Sequence, residues 1–418
     1  MKKIFSAAFL ISLWVLFQVL SHPPLVLNAQ QDGLTIQEVK RRVAALGNLD
    51  YKTDIPIKYL GKNLLRKYIA ARVEKEYPAE WAEKEEVFIR LMGFGDQPID
   101  IKKLHKKILT ASAGAQYNEK TKELIALKDY QAIDMMNAMI MVHELRHAAL
   151  DAHFDLGALL GKYPDYDDRG LAILSAVEGD AAFTALLFNG FNPELMTSTY
   201  NSDPLLSFSP LGNSTQLYKT ADIVKHRFTM PYIDGLRFVI AVFNKKKWNG
   251  LNNILASPPD SSEQILHPEK YIKREKPIPV TVQYRPEGYE LYHSGVVGEY
   301  YLNVLLMAKN ANKYMDFANG WGGDTFNIYR KSPSHFLAWK SAWDEEKFCA
   351  AFYFIFKQYI EKTFMVNFKE GNIRGSIFSA GQAGDNYFFL RKARNEMIYV
   401  RTNDRSQMNK FIYGGNYD

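Results

Sequence analysis

His143-Glu144-Leu145-Arg146-His147 sets two imidazoles four residues apart with a carboxylate beside the first. On an α-helix, positions four apart are offset by only about 40° around the axis and about 6 Å along it, so both rings face one point. Neutral imidazole nitrogens suit zinc, and a catalytic zinc takes three protein ligands and keeps its fourth position open. Glu144 stands where a general base is needed, beside a water whose pKa zinc lowers from about 15.7 to about 7. Ile133, Met136, Met139, Ile140, Val142 and Leu145 give the stretch from Gln131 to Leu150 a broad apolar face that no Gly or Pro interrupts, which predicts a helix. Histidines at this spacing also occur as ordinary polar residues, so a third ligand decides the reading.

Two residues compete for that place. His153 has the spacing of the metzincin pattern H-E-x-x-H-x-x-G-x-x-H, but Leu150 stands where that pattern has its glycine. If the helix continues, His153 lies about 240° around the axis from His147 and faces away, which makes it the alternative ligand. Glu178 ranks first. It sits in an apolar segment, Leu171 to Phe188, which a polar turn over 162–170 separates from the first helix. Two helices so joined pack antiparallel, and a carboxylate in so apolar a run needs a partner to offset desolvation. The resulting His143, His147, Glu178 set is that of gluzincin-type peptidases. Asp180 and Asp151 are candidates to hydrogen-bond a ligand imidazole, with a solvated carboxylate as the plain alternative for each.

These residues resemble a group of predicted bacterial zinc metallopeptidases with the signature H-E-L-x-H-A-L-Q-D-Q-H-F-D-L. The likeness covers His143 to Ala148, Asp151 and His153-Phe154-Asp155-Leu156, then Glu178-Gly179-Asp180-Ala181 for the group's E-G-D-A. Further blocks follow in the same order: Ser262-Glu263-Gln264-Ile265-Leu266-His267-Pro268 with Lys270-Tyr271, Gly298-Glu299, and Gly320-Trp321-Gly322-Gly323-Asp324. Ala149, Leu150 and Thr325 depart from the pattern, and no presumed ligand is lost. The resemblance spans about residues 110 to 360 and implies a zincin-like core with Glu178 as third ligand.

Bulk properties bound the rest. The 418 residues include 47% hydrophobic side chains, which marks a globular chain. A net charge of +6 spread among 46 acidic residues gives no reason to expect nucleic acid. The lysine clusters at 102–107 and 245–247 read as solvated surface. Cys349 is the sole cysteine, so no intramolecular disulfide can form. Lys2 and Lys3 before an apolar run from Ile4 to Leu20 read as an export signal over 1–29, or as an uncleaved membrane anchor. No later apolar stretch is expected to reach membrane-spanning length.

The expected fold class is α+β and mainly helical, with a small antiparallel sheet packed on the zinc-binding helix. Residues 30–100 read as a helical segment in which Thr35 caps a helix bearing Val39 and Val43. The core spans 101–365 and opens with a hairpin over 114–127, the candidate edge strand for an extended substrate. The section 190–290 is rich in Pro, Asn, Ser and aromatics, with loops around 204–212 and 258–262 of a kind that walls a cleft, and helices are expected at 295–308 and 343–364. A strand-rich segment, 366–418, packs on that core. His267 is the first candidate for stabilising an oxyanion, followed by Tyr271 and His293, while His226 and His335 read as surface. These expectations describe an exported zinc-dependent metallopeptidase acting on peptide or protein substrates. The alternatives are a zinc hydrolase of another amide or ester, and a non-catalytic binding protein of zincin fold.

Overall fold

The computed structural model describes residues 34–95, 99–111, 114–163, 167–190, 222–307, 318–373 and 375–414. The expected signal over 1–29 lies outside them, as does the loop expected around 204–212.

Helix α1 (Ile36–Ala45) is capped by Thr35, whose hydroxyl accepts from Glu38 N, and it buries Val39 and Val43 as its periodicity requires. Helices α2 (Lys62–Glu76) and α3 (Ala79–Met92) break at Tyr77-Pro78, where proline takes the N-cap. Between α1 and α2 runs a strand, β1 (Ile57–Leu60), in a section read from sequence as wholly helical. Four residues are too few for their period to be seen.

After α4 (Ile101–Ala111) come the hairpin strands β2 (Ala115–Asn118) and β3 (Glu123–Leu127). The sheet order is β1-β3-β2, with β1 parallel to β3 and β2 antiparallel to it. The expected small antiparallel sheet is therefore a mixed one. β1 covers the outer side of β3, which leaves β2 as the edge beside the next helix.

That helix, α5 (Met135–Phe154), carries His143 and His147 and runs one turn beyond the stretch read from sequence. After the short α6 (Leu156–Leu160), α7 (Asp168–Phe188) carries Glu178. It has the length and apolarity of a membrane span, contrary to the expectation that no later stretch would. Yet it is the central helix of the fold, with 89% of its apolar window buried. α8 (Asp222–Ile254) packs along it, in a section for which the sequence reading named no helix. Pro231 inside the helix and the loop-rich flanks obscured a stretch whose Phe228, Tyr232, Leu236, Val239 and Ile240 are all buried.

Two glycines let α7 and α8 approach. A Cβ on Gly179 would lie 2.2 Å from the Gly235 carbonyl oxygen, and one on Gly235 would lie 2.2 Å from that of Ser175.

The short helices α9 (Ser262–Leu266) and α10 (Pro268–Lys273) lead to a seven-stranded antiparallel sheet. Its strands are β4 (Glu290–Gly295), β5 (Trp321–Lys331), β6 (Ser334–Trp343), β7 (Lys369–Ile373), β8 (Ser376–Ala383), β9 (Asn386–Ala393) and β10 (Glu396–Thr402). Helix α11 (Gly298–Met307) precedes β5, α12 (Glu346–Phe364) follows β6, and α13 (Arg405–Tyr413) ends the described chain. The order β4-β5-β6-β10-β9-β8-β7 pairs β6 with β10, so this sheet runs across residue 365. The α+β class holds, with a far larger sheet than the sequence suggested.

A methyl at the helix crossing has no space. Gly179→Ala should cost about 1–3 kcal/mol by overpacking, read as a lower urea midpoint. An unchanged midpoint would mean that α7 and α8 can separate there.

Candidate metal centre

Helix α5 is apolar on nearly every side. Met139, Met141, Val142, Leu145, Ala148 and Leu150 are all buried, the pattern of a helix enclosed by its neighbours. His143 and His147 consequently have no solvent exposure. Their Nε2 atoms lie 2.9 Å apart. Glu178 Oε2, brought in by α7, lies 3.1 Å from His143 Nε2 and 3.5 Å from His147 Nε2. Four-coordinate zinc with bonds of about 2.0–2.1 Å keeps its ligand atoms about 3.3 Å apart, so the three separations match such a shell.

Electrostatics favour the same occupant. Two imidazole nitrogens and a carboxylate oxygen converge in a fully buried space, where their lone pairs repel unless a proton or a cation lies among them. Glu178 Oε1 is buried without a hydrogen-bond partner, as is His143 Nδ1. An ionised carboxylate so placed is costly unless a positive charge offsets it. Burial pushes the Glu178 pKa up, but His147 and His143 outweigh it and hold the group below its ordinary value. Burial, with His147 adding, lowers His143 to about 4, which leaves its ring neutral as a metal ligand must be. Among the described residues this is the one set of His, Cys, Asp and Glu side chains with metal-ligand spacing.

Glu144 is fully buried beside this group. Its Oε2 accepts 2.7 Å from Tyr117 N on β2, and its Oε1 has no partner. Burial pushes its pKa well above the carboxylate range, against the Tyr117 N–H, and the charge of Glu178 adds to the rise. The edge strand expected to hold substrate thus already spends one N–H on orienting this carboxylate.

Asp151 and Asp180 have other partners than the ligand rings expected for them. Asp151 Oδ2 accepts from Tyr117 Oη at 2.7 Å and Lys122 Nζ at 2.6 Å, and its Oδ1 accepts from Leu156 N. It clamps the hairpin to the end of α5. Asp180 takes both of its oxygens to Arg146, at 2.5 and 3.1 Å from Nε and Nη2. Arg146, fully buried, also lies over the Trp248 ring and donates to the Leu46 carbonyl. Sequence reasoning passed over this residue. The signal was present, since an arginine and an aspartate in two facing apolar runs need each other.

The alternative ligand, His153, sits in the last turn of α5 with Nε2 3.0 Å from the Asp50 carbonyl and carboxylate. That position follows from Leu150, which lets the helix continue. His267 lies between α9 and α10 with Nε2 2.9 Å from Glu299 Oε1. Tyr271 Oη donates to the Ser257 carbonyl, and His293 packs edge-on against Phe326. The bonds found for these three run within their own part of the fold. His226 and His335, read as surface, are half-buried, and His226 lies 3.3 Å from Tyr300 Oη. The sequence reading also missed Tyr232 on α8, which is buried with its ring centroid 6.4 Å from that of His143.

The later sequence blocks converge on the first turn of α7. Asp168 accepts from Ser262 N at 3.1–3.2 Å. Gly298, at φ +77°, passes so close that a Cβ would overlap the Asp168 carboxylate. Asp324 accepts from Val297 N, Gly298 N and Trp321 Nε1 at 2.8–2.9 Å. Gly323 lets the Ile278 carbonyl cross the strand, 2.1 Å from where its Cβ would be. These contacts fix the helix that carries Glu178.

A sequence-family model described as a domain of unknown function (DUF8575) matches residues 289–408, which hold β4 to β10 with α11 and α12. Helices α5 and α7, which carry His143, His147 and Glu178, lie outside that match. No curated protein and no solved structure matches the chain.

Removing one member of a buried ion pair strands the other. Arg146→Met should destabilise the protein by about 3–5 kcal/mol, and Arg146→Met with Asp180→Leu should recover part of that loss in chemical denaturation. Additive losses would contradict the pairing.

Proposed function

We propose that this protein is a zinc-dependent metallopeptidase, with His143, His147 and Glu178 as ligands and Glu144 as general base. The observation that carries the reading is the approach of three ligand atoms to within 2.9–3.5 Å of one another, with Glu144 next in sequence to the first. A divalent ion held there supplies Lewis acidity, polarising a carbonyl and lowering the pKa of a water. Zinc suits a His, His, Glu donor set best.

The chain's own residues supply the rest. Glu144 takes a proton from the attacking water and passes it to the leaving nitrogen, with Tyr117 N–H holding its Oε2 in place. The apolar walls of α5 and α7 exclude bulk water and so strengthen each charge interaction. Tyr232 supplies a phenol next to His143, and it replaces His267 as first candidate for supporting an oxyanion. The sequence resemblance supports the same reading, as do the four unaltered residues. An export signal over 1–29 would place the activity outside the cytoplasm.

One observation favours a second reading, a metal that serves the fold alone: His143, Glu144, His147 and Glu178 are all fully buried. Glu144→Gln separates the two. The peptidase reading expects the variant to keep about one zinc per chain by elemental analysis and to lose at least about 100-fold in cleavage of a casein or peptide library, in line with loss of a general base. A native protein that holds zinc and cuts no amide or ester, with zinc removal unfolding it, would favour the structural metal. His143→Ala should lose the zinc under either reading.

A further inference from the structure

An open cavity of about 860 Å³ lies along the second half of α8. Its wall carries four cations, Arg169, Lys246, Arg274 and Lys276, against one carboxylate, Asp260. Arg169 is engaged: its Nη2 lies 2.9 Å from Asp260 Oδ1, and its guanidinium covers the Tyr163 ring. Lys246, Arg274 and Lys276 form no ion pair among the described residues. Three cations without an ionic partner thus surround one concavity, and one of them, Lys246, belongs to the 245–247 cluster that was read from sequence as solvated surface.

The backbone is bent to build it. α8 breaks at Lys247, whose φ of 52° and ψ of −155° form a combination that residues with side chains rarely adopt. Asn249, Gly250 and Asn253, after the break, line the same cavity as Val242 and Lys246 before it. Gly250 is needed there, because a Cβ would lie 2.4 Å from Lys246 Cβ. Tyr271 forms a further part of the wall, its hydroxyl tied to the Ser257 carbonyl.

The chemistry of these groups selects a ligand class. Lys246, Arg274 and Lys276 are exposed, and cations gathered around one concavity concentrate anions there. Arginine offers a planar fork to phosphate or carboxylate, and lysine a point charge. The volume falls among small-molecule sites, which span roughly 300–1,000 Å³. We propose that this cavity binds a small, multiply charged anion bearing phosphate or carboxylate groups, held by Lys246, Arg274 and Lys276. The site is separate from the metal centre, since Arg169 lies about 13 Å along the axis of α7 from Glu178. It stands whether or not the metallopeptidase reading does.

Calorimetric titration of the full chain at constant ionic strength in chloride tests it, with pyrophosphate and tricarballylate as probes. At least one probe should bind with one site per chain. Lys246→Ala with Arg274→Ala should weaken that binding at least tenfold, whereas Lys245→Ala with Lys273→Ala, both exposed and outside the cavity, should leave it within twofold. Lys276→Glu, in an exposed segment without helix or strand, provides a second variant that should weaken binding without disturbing α8. Binding of pyrophosphate alone assigns a phosphate ligand, of tricarballylate alone a carboxylate, and of both the shared chemistry. Any metal withdrawn by a probe affects all the proteins alike, so the comparison isolates the cavity. No binding of either probe, or equal weakening in both double variants, would overturn the proposal.

Discussion

Two imidazole nitrogens and a carboxylate oxygen, all fully buried, face one another across about 3 Å, and that convergence is the constraint around which the described fold is organised. Lone pairs brought so close repel, and burial removes the solvent that would screen them. α5 supplies both rings because their spacing matches a helical turn. α7 supplies the acid because Gly179 and Gly235 let it pack tightly against α8. Arg146 with Asp180 locks α5 to α7 by a second buried pair of charges, next to the first.

Support for this arrangement comes from distant parts of the chain. Asp168 and Asp324 gather the chain around 262, 298 and 321 at the start of α7. Their backbone partners are N–H groups of loops that would otherwise be buried without acceptors. Burial pushes the Asp168 pKa well above its usual value and raises Asp324 to about 6, so both carboxyls are held at some electrostatic cost. That cost is borne at the joint between the helices and the seven-stranded sheet.

What could be read in the sequence was whatever repeats at short range. The period of α5, the cap at Thr35 and the hairpin over 114–127 all follow from neighbours within a few residues, and each is present in the structure. Glu178 was legible for another reason: an acid in an apolar run has an unmet need. The same argument, applied to Arg146 and Asp180, would have found their pair. Long-range pairing was not legible. Nothing near Ile57 indicates that it joins β3 in parallel, nor does Ser341 announce that it will face Met397. The His267 block, read as a cleft loop, forms two short helices with His267 between them, its Nε2 2.9 Å from Glu299 Oε1, a long-range partner that nothing near it in sequence announces. α8 was missed because Pro231 and the break at Lys247 interrupt its period.

The central claim is that a divalent metal is held by both rings and the acid. X-ray absorption at the zinc edge, on protein loaded with one equivalent of zinc, tests it most directly. The account predicts a first shell of two imidazole nitrogens and carboxylate or water oxygen at about 2.0–2.1 Å, with one imidazole lost in His147→Ala. A folded protein that takes up no zinc, or a shell without imidazole, would contradict it.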